Sequence, residues 1–251
     1  MSNNNNIFTC LTDKLYENNI EYLISTLLST DTTTTIGLER AVGVKTPFFK
    51  PKSNITIRIE TDDNASLDQI DQVKQILQTF AFPFINMNFS FVDETVVKPN
   101  IRIILSASNQ FSGGITIGIG EEFPISHIYL FNQGTILHEF GHALGRFHEH
   151  QNPDPSNPLV FIKDQVYAYY KQQMGWDAAT VDNQILNKLP IDLVSTLPFD
   201  IYSIMNYDIP SNLTTNGIST HRGIEYSDGD KQWYAMMYGD TIVNKFTQIF
   251  N

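Results

Sequence analysis

The chain has a single cysteine, Cys10, so no disulfide can form within it and the fold has to stand on its core. It has no apolar run near the roughly 18 residues that a membrane-crossing helix needs. Its first residues, Met1 to Asn6, carry no basic side chain, and the mildly apolar stretch Ile20 to Leu28 is short and contains Glu21, so no Sec-type signal peptide is read in it. Export by another route is therefore the expectation, with retention in the cytoplasm as the alternative. Basic residues are scarce: 16 Lys and Arg against 27 Asp and Glu leave a net charge of −11. That balance disfavours the basic surface that nucleic acid and anionic membranes require, so neither is expected as a partner. What remains is ordinary for a globular protein, with 41% hydrophobic and 17% charged residues. A length of 251 residues allows one generous domain or two small ones, and a monomer is expected.

Histidine is scarce too, yet four of the six fall within His138 to His150, which reads His-Glu-Phe-Gly-His-Ala-Leu-Gly-Arg-Phe-His-Glu-His. On a helix at 100° per residue, His138 and His142 lie one turn apart on one face, with Glu139 a quarter-turn away. Ile136, Phe140, Ala143, Leu144 and Phe147 project from the other side and predict a buried face. Gly145 can enter a left-handed conformation, stop the helix and bring His148 back as a third nitrogen. Three imidazoles leave one position of a tetrahedral zinc open, which marks a catalytic rather than a structural site. Water there is acidified to a pKa of roughly 7, and Glu139 is placed to take its proton as general base.

His-Glu-x-x-His-x-x-Gly-x-x-His resembles the zinc signature of the metzincin peptidases, and Glu149 directly after the third histidine resembles the astacin branch of that clan. Ser203-Ile-Met-Asn-Tyr207 is similar to the metzincin Met-turn, in which Met205 would pack beneath the histidines. The resemblance implies a phenol at Tyr207 reaching the metal or the substrate oxyanion. It implies that Glu149 anchors structure around a processed N-terminus. Asn206 departs from the histidine commonest at its position, and the lone cysteine makes the chain more similar to the disulfide-free bacterial relatives than to the secreted animal ones.

The rest of the chain supplies a frame. Residues 1–54 show little periodicity, with one short helix near Leu15 to Leu28, and occupy the place of an inhibitory prosegment, which would make the protein a zymogen. Some family prosegments block the metal with a thiolate or carboxylate. Cys10, Asp13, Glu17, Glu21, Asp31 and Glu39 are the candidates, although no switch motif surrounds Cys10 and a cysteine without a role is the simpler reading. Ile55 to Thr61 alternates as a strand, and a helix capped by Ser66 runs to Phe80 with Leu67, Ile70, Val73 and Leu77 on one face. Met87 to Asp93 and Ile101 to Ala107 are two further strands. This order predicts an α/β (α+β) domain over 55–251 with a mixed, twisted sheet, split into two subdomains near residue 148. Ser112 to Glu121, rich in glycine, is assigned to the antiparallel edge strand, followed by a last strand, His127 to Phe131.

Beyond the motif, Gln151 to Pro158 must be a loop, Asp164 to Met174 a helix, Ala178 to Leu197 irregular surface structure, and Ser227 or Asp228 caps a closing helix carrying Trp233, Met236 and Met237. His127 and His221 are left without a role, His150 is placed near the site or on the surface, and Arg222, Lys231 and Lys245 are read as solvated charges. The functional expectation is a zinc endopeptidase holding one Zn2+ on His138, His142 and His148, with Glu139 and Tyr207 catalytic. Its protein or peptide substrate would lie along an edge strand near Ile115 to Ile119. The alternative is a latent or non-catalytic zinc-binding protein of the same fold, acting as a binding module.

Overall fold

The computed structural model describes residues 42–44, 49–62, 67–106, 114–119, 123–128, 132–192 and 194–239. Strand β1 is Val42–Val44, β2 Asn54–Asp62, β3 Asn88–Val92, β4 Ile101–Ser106, β5 Gly114–Ile119, β6 Phe123–Ile128 and β7 Val194–Thr196. The helices are α1 Leu67–Phe80, α2 Gln133–Ala143, α3 Lys163–Met174, a single turn α4 Ala178–Val181, and α5 Asp228–Tyr238. A five-stranded sheet runs in the order β3-β2-β4-β5-β6, its first three strands parallel and β5 and β6 antiparallel. The mixed α/β class expected from the sequence is what the chain forms. Ile55 and Ile57 of β2 and Ile101, Ile103 and Leu105 of β4 are buried at every second position, and Val73, Ile76 and Leu77 of α1 join them in the core. Leu67 does not: it is 78% exposed at the first turn, where a helix has not yet come over the sheet.

The expected edge strand is not at the edge. β5 pairs with β4 on one side and β6 on the other, so among the described strands the edge on this side is Phe123–Ile128. In the ladder, Ile115, Ile117 and Ile119 stand opposite Leu105, Ile103 and Ile101 of the central strand. Pro124 of β6 has no N–H to give to a ladder, which suits an edge.

The half of the chain after residue 148 has little regular structure, as expected, but Ala178 to Leu197 is not surface filler. Val181, Ile185, Leu189, Val194 and Leu197 are buried, and a π-helical turn, Asp182–Leu186, follows α4. β7 lies antiparallel to β1, with Val42 opposite Thr196, so residues 42–44 are built into the second half. One core cluster runs through both halves, and a satellite of Val42, Leu189 and Val194 packs on Phe147.

Candidate metal centre

Helix α2 is the axis of the site. Asn132 caps it by accepting from the Thr135 N–H at 2.9 Å. Its C-terminus closes as a Schellman motif: Arg146 N–H reaches the Gly141 carbonyl at 3.0 Å, Gly145 N–H reaches His142 at 2.9 Å, and Gly145 sits at φ 88°. The sequence predicted this stop. It also predicted one buried face, whereas every residue from Gly134 to Ala143 is buried, because the sheet covers one side and the second half of the chain the other. Phe140 ties the helix to the sheet through Phe82 and Phe89, with ring centres at 6.0 and 5.7 Å. Truncating such a buried ring typically costs roughly 3–5 kcal/mol. On the opposite side, a Cβ on Gly141 would stand 2.7 Å from the Met205 sulfur, so this glycine makes the room in which Met205 lies against the histidine helix.

His138, His142 and His148 converge, with one ligand atom of each within 4.8 Å of the others. The Nε2 of His142 is 3.2 Å from that of His138 and 3.2 Å from that of His148. The contact between His138 and His142 is not a hydrogen bond. His138 Nδ1–H donates to the Ile204 carbonyl at 2.7 Å and His142 Nδ1–H to the Arg146 carbonyl at 2.8 Å. Each of those neutral rings therefore turns an Nε2 lone pair inward. Lone pairs facing at such distances repel unless a cation lies among them, and carbonyl-bonded imidazoles are how proteins orient zinc ligands. The donor set fits zinc: three imidazole nitrogens, buried and neutral.

Burial keeps the rings neutral. It depresses His138 and His148 well below the ordinary imidazole range, helped by the repulsion a protonated His142 would exert, and lowers His142 to about 4. Arg222 contributes to the depression of His138 and is half-buried, not the solvated charge expected of it. In metal-free protein this has a consequence for stability. The unfolded chain takes up protons near pH 6.5, while folded His142 waits until about 4 and buried His150 until about 3. Over that window the unfolded state binds more protons, so stability falls as the pH drops below about 6.5. Glu149 opposes this. Burial pushes its carboxyl up to about 8, against the pull of the Arg146 guanidinium, so its contribution is full below 4.5 and lost as the pH rises through 8. Four imidazoles outweigh one carboxyl below 6.5. Chelator-treated protein is thus expected to unfold at lower denaturant at about pH 5 than at about pH 6.5, and an unchanged midpoint would contradict the neutral-histidine assignment.

Around the triad stand the other residues singled out from the sequence. Glu139 is fully buried, its Oε1 4.0 Å from His138 Nε2. Tyr207 is 1% exposed, its ring centre 4.4 Å from that of His148 and 4.6 Å from that of His150. His150 is buried, with its Nε2 bonded to the Gln184 carbonyl of the π-helical turn at 2.9 Å. Asn206 donates to the Asp200 carbonyl at 2.8 Å. Glu149 accepts from Asn152 at 2.8 Å and from the Asp200 N–H at 3.0 Å, and lies 3.7 Å from Arg146. Lys231 sits over the Phe84 ring, and His221 is exposed beside Asp208. His127 is on β6. Cys10, Asp13, Glu17, Glu21, Asp31, Glu39 and Lys245 lie outside the described residues. The sequence did not mark Arg146, Ser203 or Asp230 as parts of the site.

Residues 129–227 match the Astacin peptidase family. The structure is similar to that of myroilysin, with a TM-score of 0.66 at 28% identity, covering 80% of this chain and 100% of that one. Over residues 129–227, which carry the three histidines, the chain is similar to the astacin peptidases. The zinc metalloproteinase nas-24 of Caenorhabditis elegans is 44% identical over 46 residues, and the match covers 18% of this chain and 12% of the length of that relative. Among the described residues no helix is long and apolar enough to cross a membrane.

Proposed function

We propose that the protein is a zinc endopeptidase that hydrolyses peptide bonds in protein substrates. The observation that carries the reading is the inward convergence of three neutral imidazoles, two of them oriented by backbone carbonyls, beside a buried carboxylate. His138, His142 and His148 hold one zinc ion. When bound, the ion supplies Lewis acidity for the scissile carbonyl and for the attacking water. Glu139 takes a proton from that water and later delivers it to the leaving amine. The Tyr207 phenol donates to the oxyanion as charge builds there. Removing one such donor typically costs about 2.7–4 kcal/mol, so Tyr207→Phe is expected to lower kcat about 100- to 1000-fold with little change in KM. An unchanged kcat would remove Tyr207 from the reaction.

The substrate is an extended peptide. Among the described strands the outer backbone edge of the sheet beside β5 lies on Phe123–Ile128, and an added strand would pair there. The inhibitory prosegment expected over 1–54 is narrowed here to residues 1–41, because Val42–Val44 pairs with β7, and 42–251 is the catalytic domain with its two halves meeting near His148. The test is digestion of an unfolded protein by the full chain and by a chain beginning at Val42, each with and without a zinc chelator. Cleavage that stops on chelation supports the proposal. If neither form cleaves while both bind zinc, the chain is a zinc-binding module and not an enzyme.

A further inference from the structure

We infer that the buried ion pair Arg146–Asp230 is the positioning device of the metal centre: it locks in place the two backbone carbonyls that aim His138 and His142 at the metal. The inference rests on the zinc-site reading above, and its test reads metal binding separately from cleavage.

Arg146 is 1% exposed. Its Nη2 lies 2.9 Å from Asp230 Oδ1 and donates to Ser203 Oγ at 3.2 Å, while Nε reaches the Val42 carbonyl at 3.3 Å. The guanidinium also sits over the Trp233 ring, 5.1 Å from its centre. Asp230 draws in three further donors: Ser203 Oγ–H at 2.7 Å on one oxygen, and the N–H groups of Ile204 at 2.8 Å and Ser227 at 3.0 Å on the other. The two ends of this pair hold the two histidines. The Arg146 carbonyl accepts from His142, and Ile204, whose N–H is fixed by Asp230, offers its carbonyl to His138. The zinc helix, the turn carrying Met205 and the closing helix therefore meet on one ion pair, and the directions of two of the three ligand rings depend on it.

Stability alone is a poor reason for such a pair. Taking two charges out of water offsets most of their attraction, and well-packed apolar replacements of both partners are often neutral or stabilising. Orientation is a different matter. Loss of the group that orients a ligand typically weakens metal binding 10- to 100-fold.

The test uses the full chain carrying Arg146→Met together with Asp230→Leu, and separately Arg146→Lys, which keeps the charge but not the planar fork. Zinc affinity is read by competition with a chelator, and ligand geometry by the visible absorption of the cobalt-substituted protein. The double variant is expected to fold, bind zinc about 10- to 100-fold more weakly and show a shifted cobalt spectrum. If it does not fold, Arg146→Lys decides, with the same loss expected in direction. A folded variant of either kind with wild-type zinc affinity and an unaltered cobalt spectrum overturns the inference. Zinc binding by the wild type without cleavage, by the full chain and by the chain beginning at Val42 alike, would sink the peptidase proposal and leave this one standing.

Discussion

Glu139→Gln is expected to keep zinc and the fold while losing cleavage by at least 100- to 10,000-fold, the range that a positioned general base contributes. The exchange is close to isosteric, so the fully buried position is refilled without a cavity. None of the three nitrogens at the metal centre comes from this residue. What is lost is the proton acceptor. Zinc content by elemental analysis, set beside the rate on an unfolded protein, separates the outcomes. Loss of zinc together with activity would make Glu139 part of the ligand set or of its support, and retained activity would take it out of the reaction.

His142→Ala is expected to remove the metal. His142 is the middle ligand, its Nε2 within 3.2 Å of both others, and its loss leaves two nitrogens that cannot surround an ion. Removing only the hydrogen-bond partner of a metal-bound histidine costs 10- to 100-fold in affinity, so deleting the ring should cost more than about 100-fold. The Arg146 carbonyl also loses its donor. Zinc that stays bound at wild-type affinity in this variant would place the ion elsewhere.

The centre of the site was legible because helix geometry is local. The spacing of His138 and His142, the position of Gly145 and the return of His148 follow from 3.6 residues per turn and one left-handed residue, and the structure has all of them. Met205 and Tyr207 were legible only through the family resemblance, since nothing local in Ser203 to Tyr207 says that it folds against a helix some sixty residues earlier. The sheet order was misread for a physical reason. Glycines in β5 suggested an exposed strand, but the strand lies between β4 and β6, and pairing is a property of two strands, not of one. Arg146 and Asp230 were given no role from the sequence. Only the tertiary fold brings them to 2.9 Å, and no pattern along the chain announces a pair that far apart. His150 was placed near the site or on its surface; its buried bond to Gln184 depends on the π-helical turn at Asp182–Leu186, within a stretch that the sequence marked as irregular.

The central claim is that one zinc ion on three histidines makes this chain a peptidase, and a metal titration reaches it most directly. Metal-free protein is titrated with zinc while the hydrolysis of an unfolded protein is followed. Cleavage should be absent at the start, rise in proportion to added zinc and level off at one ion per chain. Saturated binding at His138, His142 and His148 with no cleavage at any point, by the full chain or by the chain beginning at Val42, would contradict it.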